Sequence, residues 1–501
     1  MSAHNNFKTL LTTFGAAAAL SACGGADDVA SPGEAVFAPP PVQAPPPSQE
    51  PSDPPQTSGP PEDCPPGFTN VGTIVDRTGA TLRSCQLPSL IVGVEGLVVP
   101  AREGIVYAIS GRVDVGQDLG GDVNAPRTDR QRGTLTIEAG VRLYGSSGLD
   151  YLVINRGSQI FVQGTKDAPV IMTSRQSIEG TTTEDSIGQW GGLVILGRAP
   201  INTCAGTIPA GDAQCEAQVE GTNAFYGGNG PADSSGSIRY LRVMHSGFQV
   251  APNNELNGIT LAGVGSGTTF EYVQVHNSSD DGIEFFGGTV NGRYLVLTGN
   301  DDDSIDTDSG YSGALQFGIV VQRPNGGDRM NEMSDVSDRD PSLSPPSNPK
   351  IANFTLVGRN GGGAAILMNQ GANVQYYNMV VTRPIGSITS GSGVSCLDVD
   401  DAATTGRFHS VLFTCPQAFD DDADGQAAAL FAAGTNTVVG DTSTLTDIFV
   451  NGASEAAVPA YADLKSVSPF FQQVDYIGAV RDANDTWWQG WTCGLTADSS
   501  C

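Results

Sequence analysis

Lysine is nearly missing from this chain. Of 25 basic residues only Lys8, Lys166, Lys350 and Lys465 are lysines, against 54 Asp and Glu, and the net charge is −29. A chain this poor in positive charge has no basic face with which to displace counterions from phosphates, so nucleic-acid binding is excluded. Adhesion to an anionic surface would have to come through metal ions. The 3.6-residue apolar period is also lacking, and with 64 Gly and 31 Pro in 501 residues long helices are not expected. There is no Cys-x-x-Cys, and His4, His245, His276 and His409 do not sit at zinc-finger spacing, which argues against a structural zinc site. No run approaches the ~20 apolar residues of a membrane-spanning helix.

One short apolar run is present, Leu10 through Leu20, preceded by Lys8. It has the length of a signal-peptide core and ends in Leu20-Ser21-Ala22-Cys23. This resembles the lipobox of bacterial lipoproteins, and the resemblance implies cleavage after residue 22 and fatty acylation of Cys23. Gly24, where the family's sorting rule would place Asp for inner-membrane retention, implies the outer membrane. From Ser31 to Pro66 the chain is Pro-rich, as in Pro39-Pro40-Pro41 and Pro45-Pro46-Pro47. Such a stretch favours extended polyproline II at about 3.1 Å per residue and reads as a tether.

Without Cys23, eight cysteines remain as close pairs along the chain: Cys64 with Cys85, Cys204 with Cys215, Cys396 with Cys415, Cys493 with Cys501. Eight cysteines allow 105 connectivities. A repetitive, elongated fold keeps sequence neighbours close and favours the sequential one, formed in an oxidising compartment.

The body shows short alternating segments separated by Gly, Asn, Asp and Ser. Tyr240-Leu241-Arg242-Val243, Tyr272-Val273-Gln274-Val275 and Tyr294-Leu295-Val296-Leu297 share one pattern. A second strand recurs around Ile259, Ile283 and Ile305, which are 24 and 22 residues apart. That spacing fits one coil of an all-β, right-handed parallel β-helix, a solenoid whose equivalent positions stack at the ~4.8 Å strand spacing. Strands at Asn353–Leu356, Tyr377–Val381 and Ser410–Phe413 continue it, with Asn325 to Pro349 expected as an inserted loop. The expected organisation is a signal peptide (1–22), a lipidated Cys and tether (23–66), an N-terminal cap (67–132), a β-helix (133–450) and a C-terminal cap (451–501).

Aligning Ile283 with Ile305 stacks Asp280 on Asp302, Asp281 on Asp303 and Glu284 on Asp306. Carboxylates one strand spacing apart repel, so they must be protonated, splayed into water or bridged by a cation. Three readings stand: a solvated acidic turn, a Ca²⁺ site that uses the six to eight oxygens this ion takes, or a general acid and base. Polygalacturonase-like glycoside hydrolases, themselves β-helices, carry an Asp-Asp pair opening a strand and another Asp one coil away. Asp302-Asp303 and Asp281 or Asp280 resemble that set, which implies catalytic roles for Asp281, Asp302 and Asp303. The Gly-His-Gly turn and Arg-x-Lys element of those enzymes are missing. His245 and His276 end consecutive strands, one position out of step, and read as turn hydrogen-bonders or a general base. Trp487, Trp488 and Trp491 read as a plug over the last coil's exposed edge, stapled by Cys493 and Cys501, or as a sugar platform.

The runs Gln189–Gly197, Asp281–Gly288 and Asp475–Val480 resemble a group of secreted or lipid-anchored bacterial β-helix proteins of unassigned activity, over roughly Gly133 to Trp491. The resemblance implies the fold and a surface location. The resulting expectation is an outer-membrane lipoprotein that binds polysaccharide or a partner protein, with Ca²⁺ as cofactor. A polysaccharide-active enzyme and an accessory lipoprotein of an outer-membrane transporter are the alternatives.

Overall fold

The structure, a computed structural model, describes residues 59–252, 254–335, 345–383, 394–420, 424–495 and 501. The expected signal peptide, Cys23 and the tether up to residue 58 lie outside the described residues. No helix among the described residues is long and apolar enough to cross a membrane.

The chain forms a parallel β-helix. Among the described residues one sheet holds 16 strands and a second holds 11, and apart from the antiparallel hairpin Thr69–Val75 with Thr81–Gln86 the paired strands of both run parallel. The register agrees with the sequence alignment: Ile259 pairs with Ile283 and Ile283 with Ile305 in the shorter sheet, and Leu241, Val273 and Leu295 align in the longer one. These residues are fully buried, and alternate positions of each coil fill one continuous apolar core. All four cysteine pairs are disulfides in the sequential pattern.

Two boundaries move. Parallel pairing already begins at Arg83 with Ile105 and Arg112 with Tyr151, so coiling starts well before Gly133, inside the expected N-terminal cap. Residues from Gly59 also belong to the body: Cys64 bonds to Cys85, and Arg83 Nε donates to the Pro61 carbonyl at 2.8 Å. The Asn325–Pro349 stretch is likewise more than a loop, since Asn331–Met333 forms a strand of the shorter sheet between Ile305–Asp308 and Ile366–Met368. The usual isoleucine marker is replaced there by buried Asn331, which hides the coil from an apolar pattern.

A kink runs up the longer sheet. The strand Gly236–Met244 pairs through its first half with Gln159–Gln163 and through its second half with Val170–Ser174, fusing two stacks into one. At the junction Tyr240 has a φ of 52, and the equivalent residue of every later coil repeats it: Tyr272, Tyr294, Phe317, Asn353, Asn378, Ser410 and Asn436, all between 54 and 61. Non-glycine residues in this left-handed region cost roughly 1–2 kcal/mol each, and the stacking of like on like offsets it. Tyr240, Tyr272, Tyr294 and Phe317 form a ladder with ring centroids 4.4, 4.4 and 5.1 Å apart.

The C-terminal segment docks on this ladder and does not plug the last coil. Trp491, fully buried, packs edge-on against Tyr240 and Tyr272 at 5.9 Å. Gln274 exchanges two hydrogen bonds with the Cys493 backbone, and Gln316 exchanges two with Gln472. Asn353 Nδ2 donates to the Tyr476 carbonyl and Tyr461 N donates to Asn378 Oδ1. The segment is therefore a strap along the flank. The end of the core is closed instead by the helix Gln426–Ala432, whose Phe431 stacks on Phe413 at 4.3 Å. The plug expectation failed because outward Gln and Asn on strands carry no sequence signal of a partner 83 or more residues away.

Removing the Trp491 side chain tests this arrangement. Trp491→Ala should cost about 3–5 kcal/mol and make the stretch after Phe449 the first to be cut in limited proteolysis. Unchanged protease resistance would argue against the strap.

Candidate functional site

The shorter sheet presents the acids. Its outward column reads Thr260, Glu284, Asp306, Glu332 and Leu367 by strand register. The turn before it adds Asp280 and Asp281 on one coil, Asp302 and Asp303 on the next and Asp328 on the third. Asp281, Glu284 and Asp303 are buried, whereas Asp302 opens to solvent.

A repeated hydrogen bond sets the turns. Asp281 N donates to Asn257 Oδ1 at 3.2 Å, Asp303 N to Asp281 Oδ1 at 3.0 Å and Arg329 N to Asp303 Oδ1 at 2.6 Å. Each side chain thus holds the backbone of the following coil, which leaves Asp281 and Asp303 one carboxylate oxygen each for other work. Glu284 accepts from Asn257 Nδ2, while Asp306 Oδ1 is buried without a hydrogen-bond partner.

Two elements outside the coils complete the cleft. Glu220 comes from the excursion between Leu196 and Gly236, which is closed by Cys204–Cys215, and Glu255 from the hairpin Phe248–Leu256. Together with Gln249, Ser279, Asp280 and Asp302 they line a cleft of about 540 Å³. Glu255 N donates to Glu220 Oε1 at 3.0 Å.

These carboxyls resist ionisation. Burial is the first cause in each case and neighbouring carboxylates add to it. Asp280 is pushed up to about 8, Asp308 to about 7 and Asp302 to about 6. Asp281, Glu284, Asp303 and Asp306 lie well above the ordinary carboxylate range. A fold that crowds so many acids needs either protons or cations.

Three triads have carboxylate oxygens within 4.8 Å of one another: Asp280, Asp281 and Asp302; Asp281, Glu284 and Asp306; Asp302, Asp303 and Asp328. Ligands of one Ca²⁺ at 2.3–2.6 Å lie no more than about 5 Å apart, so each triad is compact enough to share an ion. The donors are all oxygen, which suits a hard cation and not zinc. The six acids aligned from sequence are all in these triads. Asp328, Glu332, Glu220, Glu255 and Asp308 escaped that alignment. Asp328 and Glu332 lie in the coil masked by Asn331, and Glu220 and Glu255 sit on insertions with no coil period.

The histidines lie elsewhere. His245 Nδ1 donates to the Ser186 carbonyl at 2.7 Å, and His276 Nδ1 sits 2.8 Å from Thr298 Oγ1. Burial, then His245, Arg323 and Arg242, holds His276 down to about 3, with no stacked acid among those influences. Both rings serve as neutral turn hydrogen-bonders.

Fold and site define a parallel β-helix with an acid-lined cleft on its shorter sheet. Residues 122–492, about three quarters of the chain, match the family described as pectate-lyase-like β-helix domain, and the chain belongs to that family. No curated protein and no solved structure matched the chain.

The raised pKa values fix a sign. Folding keeps these carboxyls protonated to higher pH than unfolding does, so the folded state binds more protons and stability without metal falls as pH rises from about 4 towards the value of about 8 for Asp280. The chelated protein should melt lower at pH 8 than at pH 5, and Ca²⁺ should raise the melting temperature more at pH 8. At 100 times its Kd the ion would add about 2.7 kcal/mol. A melting temperature indifferent to Ca²⁺ at both pH values would leave the acids as solvated surface.

Proposed function

We propose that this protein is a lipid-anchored envelope component of the outer membrane that binds an acidic polysaccharide through Ca²⁺ held in the acidic cleft. The observation that carries the reading is the convergence of acids from two coils and two insertions on one open cleft whose lining includes no cation. Ca²⁺ seated there keeps open coordination positions and turns a surface that repels polyanions into one that bridges them. Membership of a pectate-lyase-like family supports a polysaccharide as the ligand class. The lipobox-like Cys23 and the Pro-rich stretch support attachment by a tether.

A second reading is an enzyme acting on that polysaccharide. Asp280 and Asp302 face one cleft with values of about 8 and 6, so at neutral pH one is protonated while the other is ionised. Against hydrolysis with inversion stands their spacing: oxygens within 4.8 Å leave no room for the water that needs carboxyls ~6.5–9.5 Å apart.

The two readings separate in one assay. Residues 59–501, which keep Cys64 bonded to Cys85, are incubated with polygalacturonate with and without Ca²⁺. Binding is expected only with Ca²⁺, weakened at least tenfold in a double Asp280→Asn, Asp302→Asn variant. New reducing ends or unsaturated products that vanish with Asp302→Asn would establish the enzyme. Calcium-independent binding of equal strength in the variant would defeat the first reading.

A further inference from the structure

The coil that ends the acids carries Asn360-Gly361-Gly362-Gly363, a run the cleft does not use. Three arginines gather around it, with Arg323 on the coil before. Arg329 lies flat across Gly363: a Cβ added at that position would meet Arg329 Nη1 at 1.0 Å, so only glycine admits the guanidinium there. Arg359 curls over Gly361 and Gly362, both at positive φ, with Nε donating to the Gly327 carbonyl at 3.1 Å. Beneath them Arg383, 1% exposed, donates to the carbonyls of Arg359 at 3.1 Å, Gly361 at 2.8 Å and Gly363.

Charge in this patch is not balanced. Arg323 pairs with Asp301 and Arg329 with Asp328. Arg359 and Arg383 have no ion pair with a carboxylate among the described residues. Buried guanidinium nitrogens also lack acceptors: Arg383 Nε, Arg329 Nε, and Nε and Nη1 of Arg323. Burial and the like charges of Arg359 and Arg329 hold Arg383 down to about 10 against the opposing pull of Asp328. In a chain of net charge −29 a cluster of unshared positive charge is conspicuous. Unmet buried donors cost ~1–3 kcal/mol each, more when charged, and an oxyanion meets them in forked pairs.

We propose that Arg329 and Arg359, supported from below by Arg383 on the Gly361–Gly363 turn, form an oxyanion subsite beside the acidic cleft. It takes the carboxylate, sulfate or phosphate group of an anionic ligand. Arg329 and Arg359 keep their heads partly open to solvent and make the contact. Arg383 is a positioning residue that ties the turn to the coil. The three glycines hold side chains off the site. The subsite deepens the polysaccharide reading by placing an anion-recognising group beside the cation cleft; it meets the acid triads through the Arg329–Asp328 pair, and its test is run without calcium.

The test is calorimetric titration of inorganic sulfate into the intact chain, treated with chelator, at constant ionic strength. A saturable site is expected, weakened at least tenfold in Arg359→Gln and in Gly363→Ala and unchanged in Arg175→Gln, which alters a surface arginine paired with Glu179. Inorganic phosphate and galacturonate are titrated in parallel. Saturable binding of any of the three supports the site, and the tightest names the group it prefers. Arg359→Gln alters a half-buried side chain, and its melting curve, compared with the wild type, separates loss of the site from loss of the fold. No saturation by any anion, or equal affinity in a folded Arg359→Gln, overturns the proposal. Because calcium is absent throughout, failure of the cleft reading would leave this result standing, and the reverse also holds.

Discussion

Everything in this fold depends on one constraint: each coil sets its residues on the same positions of the coil before, at the ~4.8 Å spacing of paired strands. Stacking like on like is favourable for flat rings and for amides and unfavourable for charge. The same register therefore yields the Tyr240, Tyr272, Tyr294, Phe317 ladder on one sheet and the Glu284, Asp306, Glu332 column on the other. The first is worth ~0.5–1.5 kcal/mol per ring pair beyond area burial. The second opposes folding at neutral pH unless another species enters.

The kinked column shows how a local cost is turned to use. A left-handed residue in every coil from Tyr240 to Asn436 bends the long strands and turns one side chain per coil outwards in a straight line. The strap reads that line. Over the aromatic half it lays Trp491 and Trp487, and over the polar half it offers carbonyls to Asn353 and an amide to Asn378. Outward Gln274 and Gln316 replace the strand partner that the strap's backbone would otherwise lack. A segment with little secondary structure is thus kept on the flank by side chains of the coils that pair with its backbone.

Much of this was legible in the sequence. The isoleucine marks at 259, 283 and 305 fixed the coil length, the register and the six stacked acids, because the core position is read directly by apolar side chains. The cysteine spacing carried the disulfides, since a solenoid keeps neighbours near. What escaped had no such mark. The third acidic coil hides behind Asn331, a polar residue at a core position. Glu220 and Glu255 reach the cleft from insertions that follow no period, and the strap's hydrogen-bond partners Gln274, Gln316, Asn353 and Asn378 lie 83 to 219 residues away. The glycine run at 361–363 was visible as the end of the acids, but its role required knowing which guanidiniums lie over it.

The walls of the cleft carry the last step of argument for a cation. Arginine from the coils meets the same excursion at its base: Arg156, fully buried, bridges Asp118 and Glu216 at 2.7 and 2.8 Å, and Arg112 pairs with Asp114. Four residues after Glu216 the excursion turns towards the stacked acids, and there it supplies Glu220 and no base. The hairpin that could have closed the cleft with a lysine supplies Glu255. Where this protein needs a charge neutralised for structure it uses arginine within the chain. Around Asp280 and Asp302 it adds acid to acid on an open surface, an arrangement relieved by protons on the carboxyls or by positive charge from solution.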